Sequence, residues 1–308
     1  MKNPIKPKGL IAAPFTPFNG SGNLNLSVIA DYYSFLEKNG ITGVFINGTT
    51  GEGVSLTGRE KLQCLREWAK CMKNGGKMLV INLVGGTSQK DCIEAALNSR
   101  DEGLSAIAVI GPYFFRPDDE DNLAGFIAKI GESVPDLQVY YYHFPAFTGV
   151  KLSMHKFLEK ISERLDNFAG IKFTFEDFYD FTLCQDYKGG HYNILWGRDE
   201  CILPALATGC RGFVGSTYNY AAPLYHKLID AYESGQLEKA RMLYSKVVAL
   251  ISLLSKYGGI TTGKAFMKIA GIDCGDFRPP VRNLSASDSK KLMEDIKRME
   301  LLQYISQK

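Results

Sequence analysis

Eight times along this chain a short run of β-branched, aromatic or small apolar residues gives way to a glycine-rich or polar loop and then to a stretch with helical periodicity. The strand-like runs lie at 9–13, 43–46, 78–83, 106–110, 138–142, 168–172, 193–196 and 212–214, with helical stretches near 27–39, 58–73, 88–102, 120–133, 153–163, 176–187, 199–208 and 220–233. Alternation of this kind means parallel strands joined by right-handed helical crossovers, and eight such units close into a (β/α)8 TIM barrel, an α/β fold. An open doubly wound sheet is the runner-up. No G-x-G-x-x-G follows an early strand, which weakens that alternative and any dinucleotide role with it. The strand signals stop near residue 235, and 236–256, 261–270 and 287–304 read as helices separated by Gly258-Gly259 and Pro279-Pro280. We therefore expect a barrel over 1–234 that carries the site, with a three-helix C-terminal extension over 235–308 packed on it.

Composition excludes several classes of function. At 308 residues, 45% of them apolar, the chain can bury the core of one large barrel. Its 36 basic and 33 acidic residues are intermixed, and no long basic block offers a surface to nucleic acid. The N-terminus is basic but reaches Pro14 after too few apolar residues for a signal-peptide core. The longest apolar helical stretch, 247–254, is far short of the ~20 residues of a membrane span, so a soluble protein with no membrane partner is expected. Seven scattered cysteines without a C-x-x-C pair point to reduced thiols in the cytoplasm. The four histidines, at 143, 155, 191 and 226, fall in no ligand spacing, and no metal site is expected.

The residue that carries chemistry is Lys172, which closes the apolar run Phe168-Ala169-Gly170-Ile171-Lys172. Desolvation disfavours an ammonium and leaves a neutral amine able to attack a carbonyl near neutral pH. The alternative is a lysine that snorkels out of a strand end to solvent. In a barrel the chemistry gathers where strands end and βα loops begin, so the residues after each strand decide between the two.

After the second strand stands Asn47-Gly48-Thr49-Thr50-Gly51-Glu52-Gly53, where backbone N–H groups and two threonine hydroxyls suit a small carboxylate, although a glycine-rich turn explains them equally. After the fifth, Tyr140 and Tyr142 share one face and Tyr141 takes the other, so an inward tyrosine can lie beside Lys172 and move a proton. His143 reads as a hydrogen-bonded structural residue. After the seventh, Gly197-Arg198-Asp199-Glu200 offers two carboxylates that either cap the next helix or accept hydrogen bonds from sugar hydroxyls.

These motifs together resemble the dihydrodipicolinate synthase and N-acetylneuraminate lyase family of pyruvate-dependent class I aldolases, over nearly the whole chain. Gly48-Thr49-Thr50-Gly51-Glu52 is similar to the family's loop for the pyruvate carboxylate, Tyr142-x-x-Pro145-Ala146-x-Thr148-Gly149-Val150 to its catalytic tyrosine motif, Gly170-Ile171-Lys172-x-Thr174 to its Schiff-base strand, and Gly215-Ser216-Thr217 to the loop after the eighth strand. The resemblance implies Lys172, Tyr142 and Thr174 as catalytic residues. It implies Thr49, Thr50, Gly197, Asp199, Glu200, Gly215 and Ser216 as substrate-binding residues, with no external cofactor. The synthase branch carries an arginine two residues after the proline of the tyrosine motif, where this chain has Phe147, and the likeness is greater to the branch that cleaves N-acetylneuraminate to N-acetylmannosamine and pyruvate. An aldolase for 2-keto-3-deoxy sugar acids, the synthase itself and a non-catalytic sugar-acid sensor are the alternatives. The family also implies a homotetramer in which a tyrosine from a neighbouring subunit joins a proton relay. Here that position is Phe114, with Tyr113 beside it as a stand-in.

Overall fold

A computed structural model describes residues 4–308. Eight parallel strands close into a barrel in sequence order: β1 (Gly9–Ala12), β2 (Gly43–Ile46), β3 (Leu79–Leu83), β4 (Ala106–Ile110), β5 (Gln138–His143), β6 (Phe168–Phe173), β7 (Asn193–Trp196) and β8 (Gly212–Gly215). Around it run α1 (Val28–Lys38), α2 (Gly58–Lys73), α3 (Gln89–Asp101), α4 (Glu120–Gly131), α5 (Pro145–Thr148), α6 (Met154–Ile161), α7 (Phe178–Asp186), α8 (Ile202–Ala207) and α9 (Tyr218–Glu233). Three helices follow: α10 (Leu237–Tyr257), α11 (Ile260–Ile269) and α12 (Ala286–Arg298). The (β/α)8 architecture is the expected one.

The differences are local. The short α5 was not anticipated: Pro145 presets its first turn and Gly149, at φ 69°, ends it. The stretch expected as one helix over 199–208 opens instead with a tight 3₁₀ turn, Asp199–Cys201, before α8 begins. The last helix stops at Arg298 rather than running to 304, since Glu300 turns out of it at φ 58°. Several helices begin at plain start signals. Thr57 and Glu60 form a reciprocal capping box on α2, and Ser153 and Ser285 cap α6 and α12.

Strand side chains alternate between two apolar layers. Ile11, Phe45, Ile81, Ala108, Leu195 and Val214 fill the barrel interior. Their neighbours Leu10, Val44, Val80, Ile107, Ile194 and Phe213 face outward into the layer beneath the helices. Val247, Leu250, Phe266, Met267, Leu292 and Ile296 of α10 to α12 enter that same outer cluster. Each side chain buried in this way contributes ~1.5–3 kcal/mol, which fixes the extension against the barrel.

One irregularity sets up the site. β5 and β6 pair as Val139 with Phe168, then the register slips by one residue, so that Tyr140, Tyr141 and Tyr142 stand opposite Gly170, Ile171 and Lys172. Ala169 points into the barrel and Ile171 out of it. Strict alternation from Ala169 would turn Lys172 outward. The bulge at Gly170 restores it to the inner face and sets it beside Tyr142. Only glycine fits there, because a Cβ would lie 1.8 Å from the backbone carbonyl oxygen of Asn193.

Candidate active site

At the C-terminal end of the barrel lies a cavity of about 270 Å³ that brings together all ten residues singled out from the sequence: Lys172, Tyr142, Thr174, Thr49, Thr50, Gly197, Asp199, Glu200, Gly215 and Ser216. Size does not mark it out, since cavities of about 470 and 610 Å³ lie elsewhere. Its lining does. Lys172 is 5% exposed, and its ammonium nitrogen sits 4.0 Å from the centre of the Tyr142 ring and 4.1 Å from that of Phe45. Burial pulls its pKa down to about 7, with the Asp199 carboxylate opposing. The amine is therefore substantially neutral near pH 7, as a nucleophile requires.

The linkage between protonation and folding gives a stability test. Unfolded, the lysine titrates near its ordinary 10.5, so above that pH neither state is protonated and burial of Lys172 carries no ionic penalty. As pH falls from 10.5 towards 7 only the unfolded chain gains the proton, and the penalty grows until it levels off below about 7. Lys172→Met should accordingly be more stable than the unaltered protein by a few kcal/mol at pH 7, with the gain vanishing above pH ~10.5. Thermal melts at the two pH values check this, and an equal gain at both would show that desolvation of the charge is not the cause.

Tyr142 Oη lies 3.4 Å from Thr49 Oγ1. Burial pushes the phenol up to about 12 against the pull of the Thr49 and Thr174 hydroxyls, so in the resting site it carries its proton. The Thr174 hydroxyl is buried and makes no hydrogen bond of normal length, and it faces Gly197 so closely that a Cβ there would come within 2.0 Å of it. Gly215 has the same relation to Asp199, whose Oδ1 would lie 1.8 Å from a Cβ. Both glycines thus have a packing reason to be glycine besides their place in the lining.

Asp199 and Glu200 are adjacent in sequence but occupy different environments. Asp199 is buried, and its Oδ2 accepts hydrogen bonds from the backbone N–H (2.8 Å) and hydroxyl (2.6 Å) of Thr217. Burial raises its carboxyl to about 6, with those two bonds opposing. Glu200 is partly exposed and pairs with Arg198 at 2.7 Å, and Arg198 also pairs with Glu176. Neither carboxylate caps α8, as the plainer reading of the sequence had it. Asp199 instead braces the loop between β8 and α9, which is why the 3₁₀ turn at 199–201 is needed to aim it there.

Several features of the site lay beyond the sequence reading. Arg198 was quoted in its motif without a role, and its paired glutamates are 22 and 2 residues away on different loops. Ile251, Leu254, Ser255, Gly259 and Ile260 of the extension form one wall of the cavity, a contact no local signal announces. His143, expected to be hydrogen-bonded, has no partner at Nδ1; it packs between Tyr141, Phe173 and Phe175 on the outer face of β5, and burial pushes it down to about 3. Phe147 sits at the mouth, its ring 4.7 Å from that of Phe144. Tyr113 and Phe114 are 38% and 76% exposed, and Tyr113 lines an adjoining cavity with Thr49 and Phe147 rather than the one around Lys172.

Comparison with known proteins bears on this arrangement. The sequence profile of the dihydrodipicolinate synthetase family matches residues 6–299. The N-acetylneuraminate lyase of Gallus gallus is 39% identical over 280 residues, covering 90% of this chain and 91% of that protein. That of Sus scrofa is 36% identical over 303 residues, covering 97% and 95%. Among solved structures, Proteus mirabilis N-acetylneuraminate lyase aligns with a TM-score of 0.92 at 37% identity, over 96% of this chain and 99% of that one. The native N-acetylneuraminate lyase of Aliivibrio salmonicida aligns with a TM-score of 0.92 at 33% identity, over 97% and 98%.

Proposed function

The chain belongs to the dihydrodipicolinate synthetase family, and from that membership and the cavity around Lys172 we propose that it is an N-acetylneuraminate lyase, a class I aldolase that reversibly cleaves N-acetylneuraminate to N-acetylmannosamine and pyruvate. The observation that carries the reading is the buried lysine paired in register with Tyr142, in a cavity that Asp199, Glu200 and Ser216 also line. The lining suits a single acid group on the substrate. Besides Lys172 its cation is Arg198, already paired with Glu176 and Glu200, and Phe147 at the rim offers no charge to a second carboxylate.

The neutral Lys172 amine attacks the C2 ketone of the open-chain sugar to give a carbinolamine. Tyr142 gives its proton to the departing hydroxyl, water leaves, and a protonated imine remains beside a phenolate that the new positive charge stabilises. The phenolate then takes the proton of the C4 hydroxyl as the C3–C4 bond breaks. The bonding pair moves into the imine to form an enamine, and C4 becomes the aldehyde of N-acetylmannosamine. Return of the proton to C3 and addition of water to the imine release pyruvate and restore both residues. Thr49 and Thr50 hold the substrate carboxylate, Thr174 orients the lysine and tyrosine, and Asp199, Glu200, Ser216 and the backbone at Gly197 and Gly215 bind the polyhydroxyl chain.

Supplying N-acetylneuraminate and following pyruvate release tests the activity. Glu200→Ala tests the sugar end: kcat/KM for N-acetylneuraminate should fall by ~1–3 kcal/mol in transition-state binding, while imine formation with pyruvate alone stays unchanged. An equal loss for both would mean that Glu200 acts only by bracing Arg198. Among the described residues no helix is long and apolar enough to cross a membrane. We place the reaction in the cytoplasm, where the seven free cysteines stay reduced, and in a homotetramer.

A further inference from the structure

The loop that carries Thr49 and Thr50 does not hold its shape by itself. Asn47 at φ 57° and Glu52 at φ 54° both adopt the left-handed conformation that side chains other than glycine rarely take. The surroundings must therefore impose it. Asn47 donates from Nδ2 to Asn82 Oδ1 at 2.8 Å, and Thr16 Oγ1 donates to the carbonyl of Gly51 at 2.5 Å. The third anchor is an ion pair between Glu52 Oε1 and Lys264 Nζ at 3.0 Å, each side chain 4% exposed. Glu52 Oε2 accepts from the backbone N–H of Arg278 at 3.0 Å, and Lys264 donates also to the carbonyl of Asp276 at 3.0 Å. The lysine is held between the rings of Phe18 and Phe277, 4.6 and 4.5 Å from their centres.

Such a pair is an odd way to stabilise a fold. Two buried charges lose hydration that their attraction barely returns, and apolar residues of similar volume do as well. Its placement suggests what it does. Glu52 lies two residues after Thr50, on a loop assigned to a carboxylate, and Lys264 lies on α11 in the extension, 212 residues away. Unpaired, the buried Glu52 charge would repel an arriving anion. Paired, it is cancelled, and the fork of its carboxylate fixes the loop to two segments of the extension at once.

We infer that Glu52 and Lys264 are positioning residues for the carboxylate end of the site: the C-terminal extension sets, through this buried pair, the geometry with which the Thr49-Thr50 loop receives the keto acid. The inference rests on the Schiff-base reading of Lys172, but not on the identity of the sugar.

The test compares two ketones that differ in the carboxylate. Pyruvate and hydroxyacetone are each trapped on the protein with borohydride, and attachment is mapped by mass spectrometry in the unaltered chain, Glu52→Gln and Lys264→Met. The half-saturating pyruvate concentration should rise by up to about 10²-fold in both variants, the scale of loss that follows a displacement of about 1 Å at a reacting group, while hydroxyacetone trapping is unchanged. Should either variant fail to fold by circular dichroism, the double variant Glu52→Gln/Lys264→Gln, which leaves no uncompensated buried charge, carries the same comparison. Equal losses for the two ketones, or none for pyruvate, would overturn the inference and leave the aldolase reading standing. Failure of the unaltered chain to trap either ketone at Lys172 would overturn both.

Discussion

Lys172→Ala should release no measurable pyruvate from N-acetylneuraminate while folding normally. In the proposed mechanism the substitution deletes the atom that bonds to the substrate, and the remaining cation of the lining, Arg198, is a guanidinium already held by two glutamates. The fold should survive because the lost group is a buried amine whose solvation folding had removed, not a packing anchor. In the unaltered protein, borohydride with pyruvate should attach the keto acid irreversibly to Lys172, since hydride converts the imine to a secondary amine. Labelling at another lysine would end the mechanism. Imine formation should also follow the neutral fraction of Lys172. With the amine at about 7 against an ordinary 10.5, the rate should rise tenfold per pH unit below about 7 and level off above it. A rise that continues to pH 10 would mean that burial does not depress this lysine.

The second large effect is expected at Tyr142. Tyr142→Phe removes one hydroxyl and almost no volume, so the ring contacts to Phe45 and Phe144 persist and Lys172 keeps its place. Turnover of N-acetylneuraminate should nevertheless drop ~10²-fold or more, within the range for a general acid–base group. Pyruvate trapping should change much less, because pyruvate leaves the sugar end of the cavity to water, which can deliver the proton needed for dehydration. Cleavage has no such substitute: the C4 hydroxyl proton must pass to a base held beside it. If turnover hardly changes, the substrate's own carboxylate, held by Thr49 and Thr50, is the base.

The two substitutions probe the part of the site that was most legible in the sequence. Lys172 stood out because an ammonium at the end of a run of apolar residues has few structural explanations, and Tyr142 because three consecutive tyrosines on a strand must split between faces. The loops at 47–53, 197–200 and 215–217 were legible because barrel chemistry gathers after strands. What stayed hidden was pairing at a distance. Nothing near Asp199 announces Thr217 as its partner, nothing near Glu200 announces that Arg198 will share itself with Glu176, and nothing near Glu52 announces Lys264.

The eightfold alternation of strand and helix pointed to the barrel ahead of an open doubly wound sheet, because parallel strands linked by helices have few ways to bury both faces. It also set which loops meet at the open end. It did not set which way Lys172 points. Period two counted from Ala169, which faces inward, sends Lys172 outward among the helices, where it would be an ordinary misfit of the core. Only the assembled barrel decides otherwise. The slip of β6 against β5, and the approach of Gly170 to the Asn193 carbonyl on β7, rephase the strand by one residue and place the amine against Tyr142. Register of this kind belongs to hydrogen bonds with both neighbouring strands, and no stretch of one strand contains it.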